Sequence, residues 1–299
     1  MRRFIVGTDW WSDCDDAVAM RLLLSAHKRG EIEVAGIAID ACMKYSVASL
    51  DGFLCKEGVR DIPVGLDLEA DDFGSLETYR ARYQPTLAEY AENLKKNEDV
   101  GDALKLYRKI LAESDGKVEI IEIGFAQVLA ALLESEGDEF SPLSGFELVK
   151  NKVSKFWIMG GRWDAAGAKE HNFSKNARAC RGAHIFCEKC PVPVTFLGFE
   201  IGYNVFTGGK LDDSDTLRRI LLDFGAVRGR ESWDPMLALM ALIGDEEKAG
   251  YKTVRGRASV DAETGANHFE ISENGNHVYV IKAKENSFYE NMIDELITQ

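Results

Sequence analysis

Apolar and polar positions along this chain repeat with two periods that take turns. Phe4-Ile5-Val6 is a short apolar run of strand type, and from Asp15 the spacing becomes helical, with residues 18–24 supplying an apolar face. Residues 32–39 read as a second strand, 47–55 as a helix and 62–64 as a third strand. Helices over 100–112 and 126–133 then alternate with strands over 118–123, 156–159 and 194–197. Such alternation with short connections predicts an α/β fold, with a mostly parallel central sheet flanked by helices. The last third differs. Helices are expected over 217–222, 235–243 and 286–297, and residues 268–273 and 276–281 flank Asn274-Gly275, which predicts an antiparallel hairpin. Residues 67–97 are polar and acidic, dotted with Phe73, Tyr79, Tyr83 and Tyr90, and lack clean periodicity. They read as an excursion over the sheet edge, a place for a mobile lid. With no internal repeat or low-complexity linker, residues 1–299 are expected to form one domain.

Composition narrows the class. The chain has 299 residues, 45% hydrophobic, with a formal charge of −14, which argues against a nucleic-acid backbone as partner. A small-molecule partner fits better. No stretch has the length and apolarity of a membrane span, and the start, Met1-Arg2-Arg3, leads into only a short apolar run, so a cytoplasmic setting without membrane attachment is expected. Six cysteines show no disulfide spacing. Cys187 and Cys190 form a lone pair at a helix end before Pro191 and read as reduced, structural thiols.

The chemistry concentrates in Gly7-Thr8-Asp9-Trp10-Trp11-Ser12-Asp13-Cys14-Asp15-Asp16-Ala17, where a strand end runs into a helix start. Open α/β sheets place ligands there. The helix dipole favours Asp13, Asp15 and Asp16 but does not account for Asp9. Four carboxylates within eight positions repel one another, and a hard cation with oxygen ligands relieves that repulsion.

This stretch resembles the amino-terminal signature of the inosine/uridine-preferring nucleoside hydrolases, Asp-Thr-Asp-x-Gly-x-Asp-x-Asp-Asp-Ala, with Gly7 in place of the first Asp and Trp11 in place of the Gly. Later landmarks of that family follow in order. Residues 120–126 resemble the strand whose last residue, here Ile123 where the family usually has Thr, offers a main-chain carbonyl to calcium. Ile158-Met159-Gly160-Gly161 resembles a Met-Gly-Gly turn and leads into Glu170-His171-Asn172, which matches a Glu-x-Asn pattern that holds ribose hydroxyls. Asn176 stands where the family has an Asp and reads as a helix cap. Trp233-Asp234-Pro235 stands where the family has His-Asp-Pro. The resemblance spans residues 4–245 and implies a divergent member with a Rossmann-like fold of nucleoside hydrolase type.

By that resemblance the function is Ca²⁺-dependent hydrolysis of the N-glycosidic bond of ribonucleosides. Asp9, Asp16, the Ile123 carbonyl and Asp234 would bind Ca²⁺, and Asp9 would orient and deprotonate water. Asp15, Glu170 and Asn172 would grip ribose hydroxyls, with Asp164 toward the 5′ end. Trp233 takes the position of the leaving-group His without being able to donate as a His does. Trp10, Trp11, Trp163 and Trp233 are candidate stacking faces for a base, which points to purine or unusual N-ribosides. The alternative is a catalytically silent Ca²⁺-dependent ribose- or nucleoside-binding protein. The resemblance also implies a homodimer or homotetramer.

Overall fold

Side-chain alternation on the first strand separates two cores. In the computed structural model, which describes residues 1–11, 13–74 and 82–299, β1 (Arg2–Thr8) sends Phe4 and Val6 to one face and Ile5 to the other. A strand buried on both faces is what a parallel sheet covered by helices requires. The chain continues through α1 (Asp15–Lys28), β2 (Ile32–Ile39), α2 (Ser46–Lys56), β3 (Val64–Leu66), α3 (Tyr83–Ala88) and β4 (Gly101–Asp102). Next come α4 (Ala103–Glu113), β5 (Val118–Glu122), α5 (Gln127–Glu134), α6 (Gly145–Lys152) and β6 (Val153–Met159). A short edge, β7 (Ala168–Lys169), precedes α7 (His171–Ser174), α8 (Ala177–Lys189), β8 (Val194–Leu197) and α9 (Phe199–Gly202). The small pair β9 (Phe206–Thr207) and β10 (Arg230–Glu231) brackets α10 (Thr216–Phe224). The remainder is α11 (Trp233–Ile243), β11 (Tyr251–Val260), β12 (Ala266–Ile271), β13 (His277–Lys282) and α12 (Asn286–Ile297).

The main sheet runs β4-β3-β2-β1-β5-β6-β8-β13-β11-β12-β7. Every neighbouring pair from β4 to β13 is parallel, and β11, β12 and β7 are added antiparallel. Helices α1, α2, α10, α11 and α12 cover one face and α4, α5, α6 and α8 the other. The apolar α11 is buried from Asp234 to Ala241 and packs along α1, so the N-terminal ends of the two helices come together.

Three departures from the sequence expectations have identifiable causes. The third strand begins at Val64, not at residue 62, because Pro63 has no N–H for the ladder; its carbonyl instead accepts from Ile37 N–H at 2.9 Å. Helix α4 starts at Ala103, since Asp102 caps it by accepting from Lys105 N–H at 3.0 Å. The antiparallel hairpin forms between β11 and β12, around a loop in which Gly265 has φ +70° and Asp261 Oδ1 accepts from Thr264 N–H. Asn274-Gly275 does not close a β12–β13 hairpin: neither residue takes the positive φ of a type I′ turn, and the segment carries the chain across Gly256 so that β13 pairs on the far side of β11. Gly256 pairs with Ile271 on one side and His277 on the other.

Within the acidic excursion, Tyr79 and the rest of residues 75–81 lie outside the described residues. Past them, α3 is docked rather than loose. Tyr83 Oη donates to the Asp13 carbonyl at 2.7 Å, and Gln84 Nε2 donates to the Trp10 carbonyl at 2.5 Å, so α3 pins the acidic loop from above. All six cysteines are free, and burial pushes the Cys190 thiol up to about 12. Among the described residues no helix is long and apolar enough to cross a membrane.

Candidate metal and ribose site

The loop after β1 is shaped by its own polar side chains. Asp9 Oδ1 accepts from Trp11 N–H at 3.2 Å, a local turn that aspartate favours. Trp10 adopts φ +46°, a left-handed conformation rare for a bulky residue, held because its indole is buried and donates to Ser49 Oγ at 2.9 Å. Thr8 Oγ1 donates to Asp16 Oδ1 at 2.5 Å, tying the strand end to the first turn of α1. Asp15 and Asp16 occupy that turn and Asp234 the first turn of α11, where helix dipoles favour negative charge. Asp15 Oδ2 accepts the Asp234 N–H at 3.2 Å, so the start of α1 braces the start of α11.

Packing α1 on α11 thus collects carboxylates. One oxygen each from Asp15, Asp16 and Asp234 lies within 4.8 Å of the others, and none of the three residues is more than 5% exposed. Burial raises the pKa of all three well above the carboxylate range. Repulsion adds to this, from Asp13 on Asp15, from Asp9 and Asp15 on Asp16, and from Asp15, Asp16 and Asp9 on Asp234. An all-oxygen donor set that repels itself when ionised fits a hard divalent cation. Asp15 stands inside this group, where the sequence resemblance implied Asp9 as the third carboxylate, and Asp9 lines the same cavity.

One cavity of about 200 Å³ brings together Asp9, Asp15, Asp16, Ile123, Glu170, Asn172, Trp233 and Asp234, eight of the residues singled out from sequence. Ile123 follows β5, and its carbonyl faces Asn172 Nδ2 at 3.5 Å, the same amide donating to the Met159 carbonyl at 3.1 Å. Glu170 and Asn172 do not sit on an extended segment. Glu170 caps α7, its Oε1 accepting Asn172 N–H at 2.8 Å and its Oε2 accepting Gly161 N–H at 2.9 Å. The turn of α7 still delivers both side chains to the cavity. Burial pushes the Glu170 carboxyl up to about 7, against the pull of those backbone donors. Asn176 caps α8 as expected, accepting from Ala179 N–H at 2.9 Å.

Trp233 opens α11, two residues earlier than the helix expected from Pro235; proline is tolerated there because the first helical N–H groups have no intrahelical partner. Its ring stacks on Phe199 at 5.4 Å, and its indole N–H donates to the Phe199 carbonyl at 2.7 Å. Asp164 and Trp11 are not brought to the cavity. Asp164 is an exposed partner of Arg162 at 2.7 Å, and Trp11 packs in a small core with Phe73 and Phe125. Trp10 and Trp163 are likewise core residues, leaving Trp233 as the tryptophan on the cavity wall among the four considered.

Five cavity residues went unassigned in the sequence: Asp13, Met159, His171, Phe199 and Arg230. Met159 and Phe199 were within reach of the strand-end rule, since they lie at or just after the carboxyl ends of β6 and β8. Arg230 had no local signal. It grips Asp13 with two hydrogen bonds of 2.6 and 2.5 Å across 217 positions and lies 5.0 Å over the Trp233 ring, a fixed positive charge beside the carboxylates.

No protein-family model and no curated protein matches the sequence. Solved structures do match. The chain is similar to an inosine-uridine preferring nucleoside hydrolase from Bacillus anthracis, with TM-score 0.67 and 15% identity, covering 99% of both chains. It is similar to a purine-preferring ribonucleoside hydrolase from Gardnerella vaginalis, with TM-score 0.74 and 15% identity, covering 99% of this chain and 98% of that one. A third likeness is to the type III effector protein XopQ in complex with adenosine diphosphate ribose, with TM-score 0.72 and 16% identity over 99% and 93%. The fold is that of the nucleoside hydrolases.

Proposed function

We propose that this chain hydrolyses the N-glycosidic bond of ribonucleosides with Ca²⁺ as cofactor. The observation that carries the reading is that two unlike groups of residues line one cavity: Asp9, Asp16, Asp234 and Ile123, and with them Glu170 and Asn172. The names of two structural neighbours, inosine-uridine preferring and purine-preferring, support ribonucleosides as the substrate class. Asp9, Asp16, Asp234 and the Ile123 carbonyl would hold the cation, which would supply positive charge that favours deprotonation of water.

The chain's own groups divide the remaining work. Asp9 takes the proton of the attacking water. Asp15, Glu170 and Asn172 hold the ribose hydroxyls and fix the sugar against that water. As the bond to the base breaks, its electron pair leaves with the base and the ribosyl carbon becomes cationic, a charge the surrounding carboxylates favour. The stacked Phe199–Trp233 pair offers the base an aromatic wall, which supports purines or other N-ribosides with flat leaving groups. Trp233 has committed its N–H to a carbonyl, so the proton for the departing base falls to another cavity residue, and we assign it to the exposed imidazole of His171.

The test is base release from a panel of purine and pyrimidine ribosides, with and without chelator, for the wild type and Asp9→Ala. Release abolished by either treatment is expected. A second reading, ribose binding without turnover, is favoured by the engaged indole of Trp233; Ca²⁺ and nucleoside binding with no base released from any riboside would establish it instead.

A further inference from the structure

Behind the cavity, Gly7 of β1 and Glu122 of β5 are paired neighbours in the parallel ladder. The Glu122 side chain folds back over Gly7, so that a Cβ added to Gly7 would collide with its carboxyl group. Glu122 is 1% exposed, an unusual place for an acid at the end of a strand that otherwise buries Val118, Ile120 and Ile121. Asp40, which follows β2, and Tyr107 of α4 lie beside it, and burial pushes the Glu122 carboxyl up to about 7. A group this costly to bury needs a reason to be there.

Its hydrogen bond supplies one. Glu122 Oε1 accepts the Gly124 N–H at 3.0 Å. That N–H belongs to the same planar trans peptide as the Ile123 carbonyl, so the two point in opposite directions. With the N–H turned back toward Glu122, the carbonyl is turned toward the cavity, where Asn172 approaches it.

We propose that Glu122 is a positioning residue for the cation site: reaching from β5 into the space Gly7 leaves open, its carboxyl group holds the Ile123–Gly124 peptide with the carbonyl facing the ion. The inference rests on the metal reading above. It also gives the absence of a side chain at position 7 a purpose, because a carboxylate on β1 and this one on β5 would compete for one volume.

Calorimetric titration of the full chain with Ca²⁺ alone tests it without any need for turnover. Glu122→Ala is expected to weaken binding about 10–100-fold, the usual loss when a group orienting a ligand is removed. Glu122→Gln, whose amide oxygen still accepts the Gly124 N–H, is expected to bind within about threefold of the wild type by the same reasoning. Gly7→Ala removes no polar group, yet its methyl displaces the Glu122 carboxyl, so it weakens binding too. Because both changes act through one contact, Gly7→Ala/Glu122→Ala is expected to be no weaker than the worse single variant. Additive losses, equal losses in the Gln and Ala variants, or wild-type affinity in a folded Glu122→Ala protein would each overturn the proposal. Should Glu122→Ala not fold, Gly7→Ala against Glu122→Gln carries the same contrast, and equal affinities there would overturn it. Failure of the wild type to bind Ca²⁺ would instead remove the metal reading itself, and shows before any substitution is made.

Discussion

The two walls of the cavity are built on opposite principles. On the wall made by β1, α1 and α11, carboxylates face one another, and burial and mutual repulsion raise the pKa of three of them. On the wall made by the turn after β6 and by α7, the one buried acid, Glu170, already accepts two backbone N–H groups. The first wall concentrates like charge, the place proposed for the ion, and the second is a preformed grip. The contrast teaches that one small cavity can hold both a self-repelling cluster of acids and an acid already held by its own backbone.

The largest effect should come from the ion wall. Asp9→Ala and Asp234→Ala are each expected to lower kcat/KM for a released purine by more than about 10³-fold, measured by base release, as loss of a general base or metal ligand does. If Glu170→Gln cost more than either, the division of labour would be reversed. Next comes the departing base. His171→Phe should cost about 10²-fold or more on a purine riboside while leaving a riboside with a phenolate leaving group, which departs unprotonated, nearly unaffected. Equal losses on both would make His171 a binding residue.

Metal removal sharpens the comparison further. Ca²⁺ at 100 times its Kd should stabilise the wild type by about 2.7 kcal/mol, seen as a higher Tm, and the gain should vanish in Asp234→Ala but persist in Glu170→Gln. The grip wall should show itself in pH. A carboxyl whose folded pKa is raised to about 7 holds its proton in the folded state where the unfolded chain has lost it. Its stabilising contribution is therefore complete below the unfolded value and is lost as pH rises to about 7, by something on the order of 3 kcal/mol. Denaturant midpoints of wild type and Glu170→Gln should diverge across that window and run parallel above it. The smallest effect should belong to Asp164: as an exposed partner of Arg162, its replacement by Ala should leave kcat/KM within about twofold.

What could be read from the sequence was whatever local patterning decides. Apolar runs of strand length gave the parallel sheet, and β2, β8 and α12 have the limits their patterns predict. The acidic turn after β1 and the Glu170–Asn172 pair were legible because several polar groups crowd into few positions beside a strand end. Other features depend on partners distant in sequence. Arg230 meets Asp13 only through the docking of α11 on α1, and Glu122 looked like one more residue of an apolar strand until Gly7 was placed beside it. Asn274-Gly275 has strong local turn chemistry that tertiary pairing overrode, since β13 inserts between β11 and β8 and pairs with both. Asp164 and Trp11 were singled out by their place along the chain, but the fold gives one to solvent and the other to a small core.

The placement of β13 also sets an order of assembly. Among neighbouring strands it alone bridges β8 to β11, and beyond β11 lie β12 and then β7, whose last residue, Lys169, adjoins Glu170. On a ribosome the ion wall is fully translated once α11 has emerged, whereas the edge that steadies the grip wall must wait for a strand made some forty residues later, a delay of a few seconds at about 5–20 residues per second. The nascent chain therefore passes through a period with a nearly finished parallel sheet whose growing edge at β8 is open. A chain released before His277 would leave β11, β12 and β7 without a seam to the rest, and would also lack α12, which packs on α1 and α11. The penultimate element of the fold is its keystone.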